Sequence, residues 1–403
     1  MKIKFIRSKM AEGIKKVLPA VGDKGSLPIL WCVKVSARRD DGKAVGTDRA
    51  MDGAARNGDS GGAARDGNND GVIELVATDI DLQITAVVPG EVEEGGVTCL
   101  NAKMLKAFVE ALPEGEVEIE LNDAATRAKI SGGACVFRLA ALPPQEFPLA
   151  SVPPPEPVEI LARVLFEMFR KVRYAAATAD DRKILKGVNM CLTGGIVRMV
   201  ATDGRRLSMV ECELEYPKER EASLVTIPRA TVEALCGLIS AKDYDGGIEV
   251  STDEKTILFR GDGFEVLSKL VEGQYPNWTK VVPATSAYVA TVDRELFLAE
   301  LARAEAATIG CEPRSVSVTF ENGIATLEGR GDDGNGNSKS KTQLAVKYAG
   351  EKAEFNLNAS LVKDVLKVID EEEVTIGFDG SGKPLVFKCA VPFVAVVMPL
   401  RVC

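Results

Sequence analysis

One sequence pattern occurs three times along the chain and limits the folds that the chain can adopt. The pattern is a short apolar run, then Asn or Pro, then an amphipathic stretch with helical spacing. The copies occupy residues 97–103, 224–230 and 354–360. Their Asn or Pro positions, Asn101, Pro228 and Asn358, lie 127 and 130 residues apart. Repetition at this interval indicates one structural module that is present three times.

The length and composition agree with three modules. A chain of 403 residues, 46% of them apolar, can fill about three domains of ordinary size. We expect the modules at 1–145, 156–273 and 284–403, joined by a proline-rich linker that ends at Pro157 and by a second linker at 273–283. Segment 37–71, mostly Gly, Asp, Arg, Ala and Asn, is predicted to be a disordered insertion in the first module. An inert loop is the favoured interpretation of it, and a contact with nucleic acid is the alternative.

Each module is predicted to contain two amphipathic helices and about eight strands. The six helical segments are 9–18, 102–112, 158–174, 228–242, 293–305 and 359–370. Apolar runs of strand length alternate with turn signals between them. The pattern predicts an α+β fold in which the helices share one side of antiparallel sheet.

The composition excludes several classes of enzyme. The chain has no histidine, which removes Ser–His and Cys–His nucleophilic pairs and histidine-based zinc sites. It also lacks the common glycine-rich phosphate-binding motifs, so we expect no cofactor, no metal and no catalytic residue. A carboxylate metal enzyme built from Asp79, Asp180, Asp181 and Asp203 is a weaker alternative, since Asp pairs in loops are usually solvated.

Cysteine usage and hydropathy predict the compartment. The nine cysteines form no C-x-x-C pair and mostly sit in apolar runs, so we interpret them as small buried side chains in a reducing environment. No apolar run of about 18 residues is present. We therefore expect a cytoplasmic protein with no membrane partner.

A Thr-Asp turn stands between two predicted strands in the second module. Residues 200–207 read Val-Ala-Thr-Asp-Gly-Arg-Arg-Leu, and residues 76–82 begin with the same Val-Ala-Thr-Asp. Asp203-Gly204 alone predicts only a tight hairpin turn.

Four separated motifs carry a resemblance to a known family. They are residues 137–148, 201–207, 268–276 and 396–401. Because these motifs occur in this order on a threefold repeat, the chain resembles the bacterial β sliding clamps, the processivity subunits of DNA polymerase III. The resemblance covers the whole chain except the insertion. It implies a closed ring of two head-to-tail subunits, a homodimer, with helices lining a channel and sheets outside, which slides on duplex DNA without catalysis.

The resemblance also implies the partners. They are duplex DNA bound without sequence preference, the replicative polymerase, clamp-loader subunits and repair proteins, the proteins docking through short linear peptides. The runner-up interpretation is a repeat-built protein-interaction scaffold that does not encircle DNA.

The charge pattern gives an independent reason to expect DNA despite a net charge of −9. The six predicted helices together carry +4, which leaves −13 for the rest of the chain. Helices facing inward would give a mildly positive channel inside a negative exterior. Ordinary solvated helix faces explain any single helix equally well.

The resemblance and the helical positions together predict the functional residues. Lys24, Arg182 and Lys183 are expected DNA contacts by resemblance, and Lys16, Lys103, Arg170, Arg173 and Arg229 by helical position. The expected subunit contact joins Phe137 and Leu139 of one subunit to Ala306 and Ala307 of the other. The expected peptide pocket consists of Arg182, Ile184, Leu185, Thr202, Gly204, Arg205, Leu207, Pro276, Lys280, Val281, Val396, Val397, Met398, Pro399, Leu400 and Arg401.

Three departures from the family pattern affect these sites. The family commonly has His where this chain has Arg205, which predicts greater selectivity for acidic peptide flanks. Ala306 and Ala307 are smaller than usual, which predicts a weaker subunit contact. The final Cys403 is one residue beyond the usual end and would place a thiol near the pocket.

Overall fold

The computed structural model of the protein describes residues 1–22, 25, 27–39, 71–149, 157–179, 182–214, 223–240, 245–332, 337–389 and 392–400. The predicted insertion lies outside these ranges except at its two ends, where Arg39 still belongs to one strand and Gly71 begins the next.

The described residues form six α-helices and 24 strands. The helices are α1 (Arg7–Val17), α2 (Ala102–Ala111), α3 (Ala162–Val172), α4 (Arg229–Ile239), α5 (Arg294–Glu305) and α6 (Ala359–Val368). The strands of the first half are β1 (Lys2–Ile6), β2 (Cys32–Arg39), β3 (Gly71–Thr78), β4 (Leu82–Glu94), β5 (Gly96–Asn101), β6 (Glu116–Leu121), β7 (Arg127–Gly132), β8 (Cys135–Leu142), β9 (Val158–Leu161), β10 (Gly187–Thr193), β11 (Ile196–Thr202) and β12 (Arg206–Glu213). Those of the second half are β13 (Ser223–Pro228), β14 (Gly247–Thr252), β15 (Thr256–Gly261), β16 (Phe264–Lys269), β17 (Tyr288–Asp293), β18 (Ser315–Glu321), β19 (Ile324–Asp332), β20 (Asn337–Ala345), β21 (Ala353–Asn358), β22 (Glu373–Phe378), β23 (Leu385–Lys388) and β24 (Phe393–Val397).

The chain divides into two compact units. Unit 1 comprises Met1–Glu159 and Gly246–Lys269, and unit 2 comprises Ile160–Asp245 and Leu270–Cys403. In unit 1 the strands follow the order β1-β6-β7-β8-β5-β2-β3-β4-β16-β15-β14. Helices α1 and α2 pack side by side there, and Met10, Ile14 and Leu105 are fully buried between helices and sheet.

Unit 2 contains two antiparallel sheets. The larger has the order β13-β10-β11-β12-β24-β23-β22-β17, and the smaller has the order β20-β19-β18-β21. Helix α3 lies beside α4, and α5 beside α6. Strand β12 pairs with β24 so that Leu207 lies opposite Val396, and this pairing positions the site described below.

Several helices begin where the sequence predicts. Asn101, Asp293 and Asn358 each accept a backbone N–H bond at the start of the following helix, with distances of 3.0, 2.8 and 3.0 Å, which is the role of an N-cap side chain. Ser8, a residue type that often caps helices, directly precedes the predicted segment 9–18, but it is not the cap, because α1 begins at Arg7 after Ile6 without a side-chain cap.

The helix predicted at 158–174 is too long at its start. Residues 158–161 form β9, in which buried and exposed side chains alternate. A period of two is the strand pattern, and the helical period begins only at Ala162.

The cysteines are less buried than predicted. All eight in the described ranges are free, and three of them, Cys32, Cys99 and Cys236, are buried. Burial raises the pKa of the Cys32 thiol to about 11, so this thiol stays protonated and behaves as a small apolar side chain. Cys135 is exposed. None of the helices in the described ranges is long and apolar enough to cross a membrane.

Glycine substitutions test the close packing of α5 on the smaller sheet. A Cβ on Gly329 would clash with the carbonyl oxygen of Ala304 near the end of α5, and backbone cannot move aside cheaply. We expect Gly329→Ala to lower the free energy of unfolding by about 1–3 kcal/mol. Gly237, exposed in α4, has no atom within 4 Å of its added Cβ, so Gly237→Ala should raise stability by about 0.5–1 kcal/mol. Thermal unfolding measures the stability change of each variant. Equal changes for Gly329→Ala and Gly237→Ala would contradict the packing described.

Candidate functional site

The turn between β11 and β12 is held by its own side chains. Thr202 Oγ1 donates to the carbonyl of Arg206 at 2.6 Å, and Asp203 Oδ1 accepts the N–H groups of Arg205 and Arg206 at 2.9 Å. Gly204 has φ +84°, a conformation that favours glycine. The predicted hairpin is therefore present, and Thr and Asp are needed to close it.

The same Thr-Asp arrangement occurs twice in unit 1. Thr78 Oγ1 donates to Leu82 and Asp79 Oδ1 accepts from Leu82 N–H at 2.7 Å. Thr252 and Asp253 close the turn between β14 and β15 in the same way, a copy that the sequence interpretation missed. Asp79 and Asp203 thus serve as turn-closing acceptors. In the part of the chain that the structure describes, no group of three His, Cys, Asp or Glu could hold a metal ion. Asp180 and Asp181 lie outside it.

An apolar cavity of about 320 Å³ opens beside the 202–206 turn in unit 2. Two of its lining residues, Leu207 and Val396, belong to a buried cluster with Val200 and Val386, against which Trp278 packs. Four separate segments therefore meet here: residues 182–185, the turn, the 276–281 linker and the end of β24 with Met398 after it. The lining residues are Arg182, Leu185, Thr202, Gly204, Arg205, Arg206, Leu207, Pro276, Asn277, Trp278, Val281, Val396 and Met398.

A wider groove adjoins the cavity. It encloses about 720 Å³ and shares Gly204, Arg205 and Met398 with the cavity. Its other lining residues are Glu312, Pro313, Arg314, Asn358, Ser360, Leu361, Pro399 and Leu400. Cavity and groove therefore adjoin, and the groove lining carries Glu312 and Arg314 in addition to Arg205.

Ten of the sixteen residues predicted for the pocket line the cavity, and Pro399 and Leu400 line the groove. Ile184, Lys280 and Val397 line neither in the described structure. Val397 is fully buried and follows Val396, and successive strand side chains point to opposite faces. Arg401 lies outside the described residues. The prediction omitted Arg206, Asn277 and Trp278, although an aromatic two residues after Pro276 is a usable signal in the sequence.

Arg206 connects the turn to α6. Its guanidinium donates to Asp203 Oδ2 at 3.1 Å and to Asp364 Oδ2 at 2.7 Å. It also lies over the ring of Tyr174, 5.2 Å from the centroid. Burial raises the pKa of the Tyr174 hydroxyl, so a neutral ring faces the cation. The orientation of the turn, and with it one wall of the cavity, depends on this side chain.

Three of the cations predicted to contact DNA are paired with carboxylates. Lys16 lies 3.3 Å from Glu12, Arg229 lies 2.7 Å from Glu233, and Arg170 contacts both Glu167 and Asp370. Among the other predicted contacts, Lys103, Arg182 and Lys183 are exposed and Arg173 is half-buried. Arg182 also lines the cavity. Lys24 is outside the described residues.

The helix bounds in the structure raise the summed charge of the helices from the predicted +4. Helices α1 to α6 carry +3, +1, +2, 0, −1 and +1, together +6, in a chain of net charge −9. The helices are thus more positive than the sequence segments predicted, because the true α5 and α6 exclude Asp293 and Asp370.

The predicted subunit-contact residues lie beside two strand edges. Phe137 on β8 stacks on Phe108 with centroids 4.6 Å apart, and Leu139 is buried. In unit 2, Ala307 accepts a bond from Ser338 of β20 at 2.7 Å, and Ala306 is exposed. Ile309, which the prediction missed, is 68% exposed two residues later.

Adjacent arginines allow a controlled test of the turn anchor. Arg206→Ala leaves Asp203 and Asp364 without their cation, so we expect the free energy of unfolding to fall by about 2 kcal/mol. Arg205→Ala, at an exposed neighbouring position, should change it by about 0.5 kcal/mol or less. Calorimetry measures the free energy of unfolding of both variants. An equal loss of stability in the two would refute the anchoring role of Arg206.

Three consecutive segments of the chain match domains of one known protein family. Family profiles for the N-terminal, central and C-terminal domains of the DNA polymerase III beta subunit match residues 67–151, 159–277 and 279–401. The beta sliding clamp of Chlamydia pneumoniae is 24% identical over 100% of this chain and 99% of its own length. That of Bacillus subtilis is 23% identical over the full length of both.

Solved structures share the fold. A DNA polymerase III subunit beta from Pseudomonas aeruginosa superposes with a TM-score of 0.85 at 22% identity, and a sliding clamp from Bacillus subtilis with 0.87 at 21%. In both cases 100% of each chain is covered. The three domain profiles together span most of the chain, so the protein belongs to the DNA polymerase III beta subunit family, the beta sliding clamps, which are processivity factors and not enzymes.

Proposed function

We propose that two copies of this chain close head to tail around duplex DNA and that the apolar cavity tethers the polymerase and other DNA-processing proteins. The observation that carries the ring is a pair of unlike strand edges, one in each compact unit. Tethering is supported by the cavity, whose walls come from four segments. The ring supplies retention and the cavity supplies recruitment.

The two strand edges suit a head-to-tail contact. Within the described part of the chain, residues 135–140 of β8 pair with β7 only, because β5 pairs with β8 only at Ala141 and Leu142. Strand β20 is the last strand of its sheet among the described residues. Pairing β8 of one subunit with β20 of another satisfies both open edges, and because the two edges differ, the contact is heterologous and can close into a ring.

Side chains beside these edges complete the proposed contact. Phe137 and Leu139 lie on β8. Ala306 and Ala307 lie beside β20, and Ile309 comes two residues after Ala307. The alanines bury little apolar area, so we expect Ile309 to contribute most of the apolar burial on that side.

The helices are proposed to face DNA. Their summed charge of +6 favours phosphate contacts without base recognition, which bind with no sequence preference and weaken steeply with salt. Existing ion pairs at Lys16, Arg170 and Arg229 reduce the attraction further. Weak attraction is compatible with sliding, because the closed ring, and not the affinity, prevents escape.

The cavity is proposed to hold the apolar anchor of a partner's short linear peptide. Its volume of about 320 Å³ suits one or two large side chains. Met398 on its rim is flexible and can adapt to different anchors. The partners proposed on this basis are the replicative polymerase, clamp-loader subunits and repair proteins.

Retention on DNA tests the proposed ring directly. Protein placed on a nicked circular plasmid by its clamp loader should stay bound through gel filtration at moderate salt. Cutting the plasmid once should release it, because a ring can slide off an end. The fraction of protein that elutes with DNA before and after cutting is the measurement. If the protein is lost equally from circular and linear DNA, a scaffold that does not encircle DNA is favoured.

Charge placed at Ile309 tests the subunit contact. Burying an aspartate in the contact should weaken dimerisation of Ile309→Asp by about 30-fold, or ~2 kcal/mol. Leu224, 65% exposed on β13 against 68% for Ile309, supplies the matched control Leu224→Asp, which should dimerise like the unaltered protein. Sedimentation equilibrium gives both constants. A dimer unaffected by Ile309→Asp would place the contact elsewhere.

A further inference from the structure

We propose that like charges on the two joined strand edges oppose closure of the ring, so that salt tightens the subunit contact instead of weakening it. The inference rests on the proposed head-to-tail pairing of β8 with β20 and adds the electrostatics of that pairing. It concerns the outer face of each sheet, which is the face that points away from the helices.

Arg138 lies on the outer face of β8. Phe137 stacks on Phe108 of α2 and so lies on the helix side, and successive strand side chains point to opposite faces. Arg138 lies opposite Lys129 of β7, and residues directly opposite share a face. Arg127 of β7 is exposed two residues before Lys129. The outer faces of β7 and β8 thus carry three cations, and neither strand contains Asp or Glu.

Lys339 and Lys341 occupy the corresponding face of β20. Ser340, which lies between them, donates from Oγ to the carbonyl oxygen of Ala304 in α5 at 2.7 Å, so this serine lies on the helix side. The two lysines therefore point to the outer face, and both are exposed. Strand β20 also contains no Asp or Glu.

Carboxylates on the neighbouring strands are already paired with cations of their own sheet. Glu120 Oε2 on β6 lies 3.3 Å from Lys129 Nζ. Glu328 Oε1 on β19 lies 3.0 Å from Lys341 Nζ. Neither carboxylate is therefore left to neutralise a cation on the other edge.

The proposed pairing places cations of the two subunits side by side. Arg138 and Lys339 have no carboxylate partner among the described residues. With the helices on one side of the joined sheet, Arg138 lies opposite Lys339, Lys341 or Gln343, according to the register. Opposite Cβ atoms are about 5 Å apart and diagonal ones about 7–8 Å, so each of these registers brings a lysine beside Arg138. Like charges so placed destabilise a strand pair.

The repulsion limits the contact without preventing it. Backbone hydrogen bonds and apolar burial at Ile309 favour pairing, whereas the exposed like charges oppose it. Salt screens the exposed charges, so the ring should close more tightly as ionic strength rises. Phosphate contacts of the helices weaken under the same conditions. Ring closure and attraction to DNA therefore depend on salt with opposite signs.

The dimer Kd of the full chain at low and high salt tests the proposal. We expect sedimentation equilibrium to show a Kd about threefold lower at about 500 mM than at about 50 mM NaCl, because the screening length falls from about 14 to about 4 Å. Salt also affects apolar burial, so charge variants accompany the measurement.

Charge reversal at Arg138 separates repulsion from the other effects of salt. Arg138→Glu converts like charges into opposite charges, and a ring contains the contact twice, so its Kd at low salt should be about tenfold lower than that of the unaltered protein. The Kd of this variant should rise with salt. Adding Lys339→Glu and Lys341→Glu makes both edges negative and should restore weak pairing.

Lys388→Glu is the matched control for the change in net charge. Lys388 is exposed at the end of β23, away from both edges in the proposed pairing, so this variant should dimerise like the unaltered protein. Unchanged thermal unfolding shows that all the variants are folded.

The outcomes distinguish this inference from the proposed ring. If Ile309→Asp weakens the dimer, but salt and Arg138→Glu weaken it too or leave it unchanged, the inference alone fails. If the chain stays monomeric at both salt concentrations, or if its dimer responds neither to Ile309→Asp nor to Arg138→Glu, the proposed pairing of β8 with β20 fails as well.

Discussion

Strand pairing between successive sequence repeats is the constraint on which the rest of the structure depends. In unit 1, β4 of the first repeat pairs with β16 of the second, so that Ile84 lies opposite Val266. In unit 2, β12 of the second repeat pairs with β24 of the third. Backbone hydrogen bonds thus join the repeats into shared sheets, and the compact units differ from the repeats in sequence. The second pairing also brings the Thr-Asp turn beside the chain end, which creates the cavity.

The site combines a generic element with a specific one. Thr and Asp close the same kind of turn in three places, at residues 78–82, 202–206 and 252–256, so the turn alone cannot specify a binding site. The second copy differs because Arg206 ties it to α6 through Asp364, and because Trp278 of the linker covers the neighbouring sheet. The cavity of about 320 Å³ lies where the turn, linker and chain end meet, and a smaller cavity of about 200 Å³ lies beside the 78–82 turn. The surroundings of each copy, and not the turn itself, therefore distinguish the proposed site.

Much of the fold was predictable from sequence because helical period, caps and repeat spacing are local signals. Asn101, Asp293 and Asn358 cap helices at the start of predicted helical segments, and twelve of the sixteen residues predicted for the pocket line the cavity or the groove. Three kinds of error have physical causes. Residues 158–161 form a strand, as their alternating burial shows. Val397 turns away because it follows Val396 on a strand. The distant carboxylate partners of Arg170 and Arg206 are Asp370, just after α6, and Asp364 on α6. Contacts between distant segments leave no local trace in the sequence.

The weak electrostatics of the helices fit a protein that holds DNA by enclosure. Paired cations and a modest charge of +6 cannot by themselves provide long retention in a chain of net charge −9. The central claim is therefore geometric: two chains enclose an opening. Electron microscopy of the purified protein without DNA tests it most directly. The account predicts annular particles with a central opening wide enough for a double helix, and particles that are open crescents or compact bodies without an opening would contradict it.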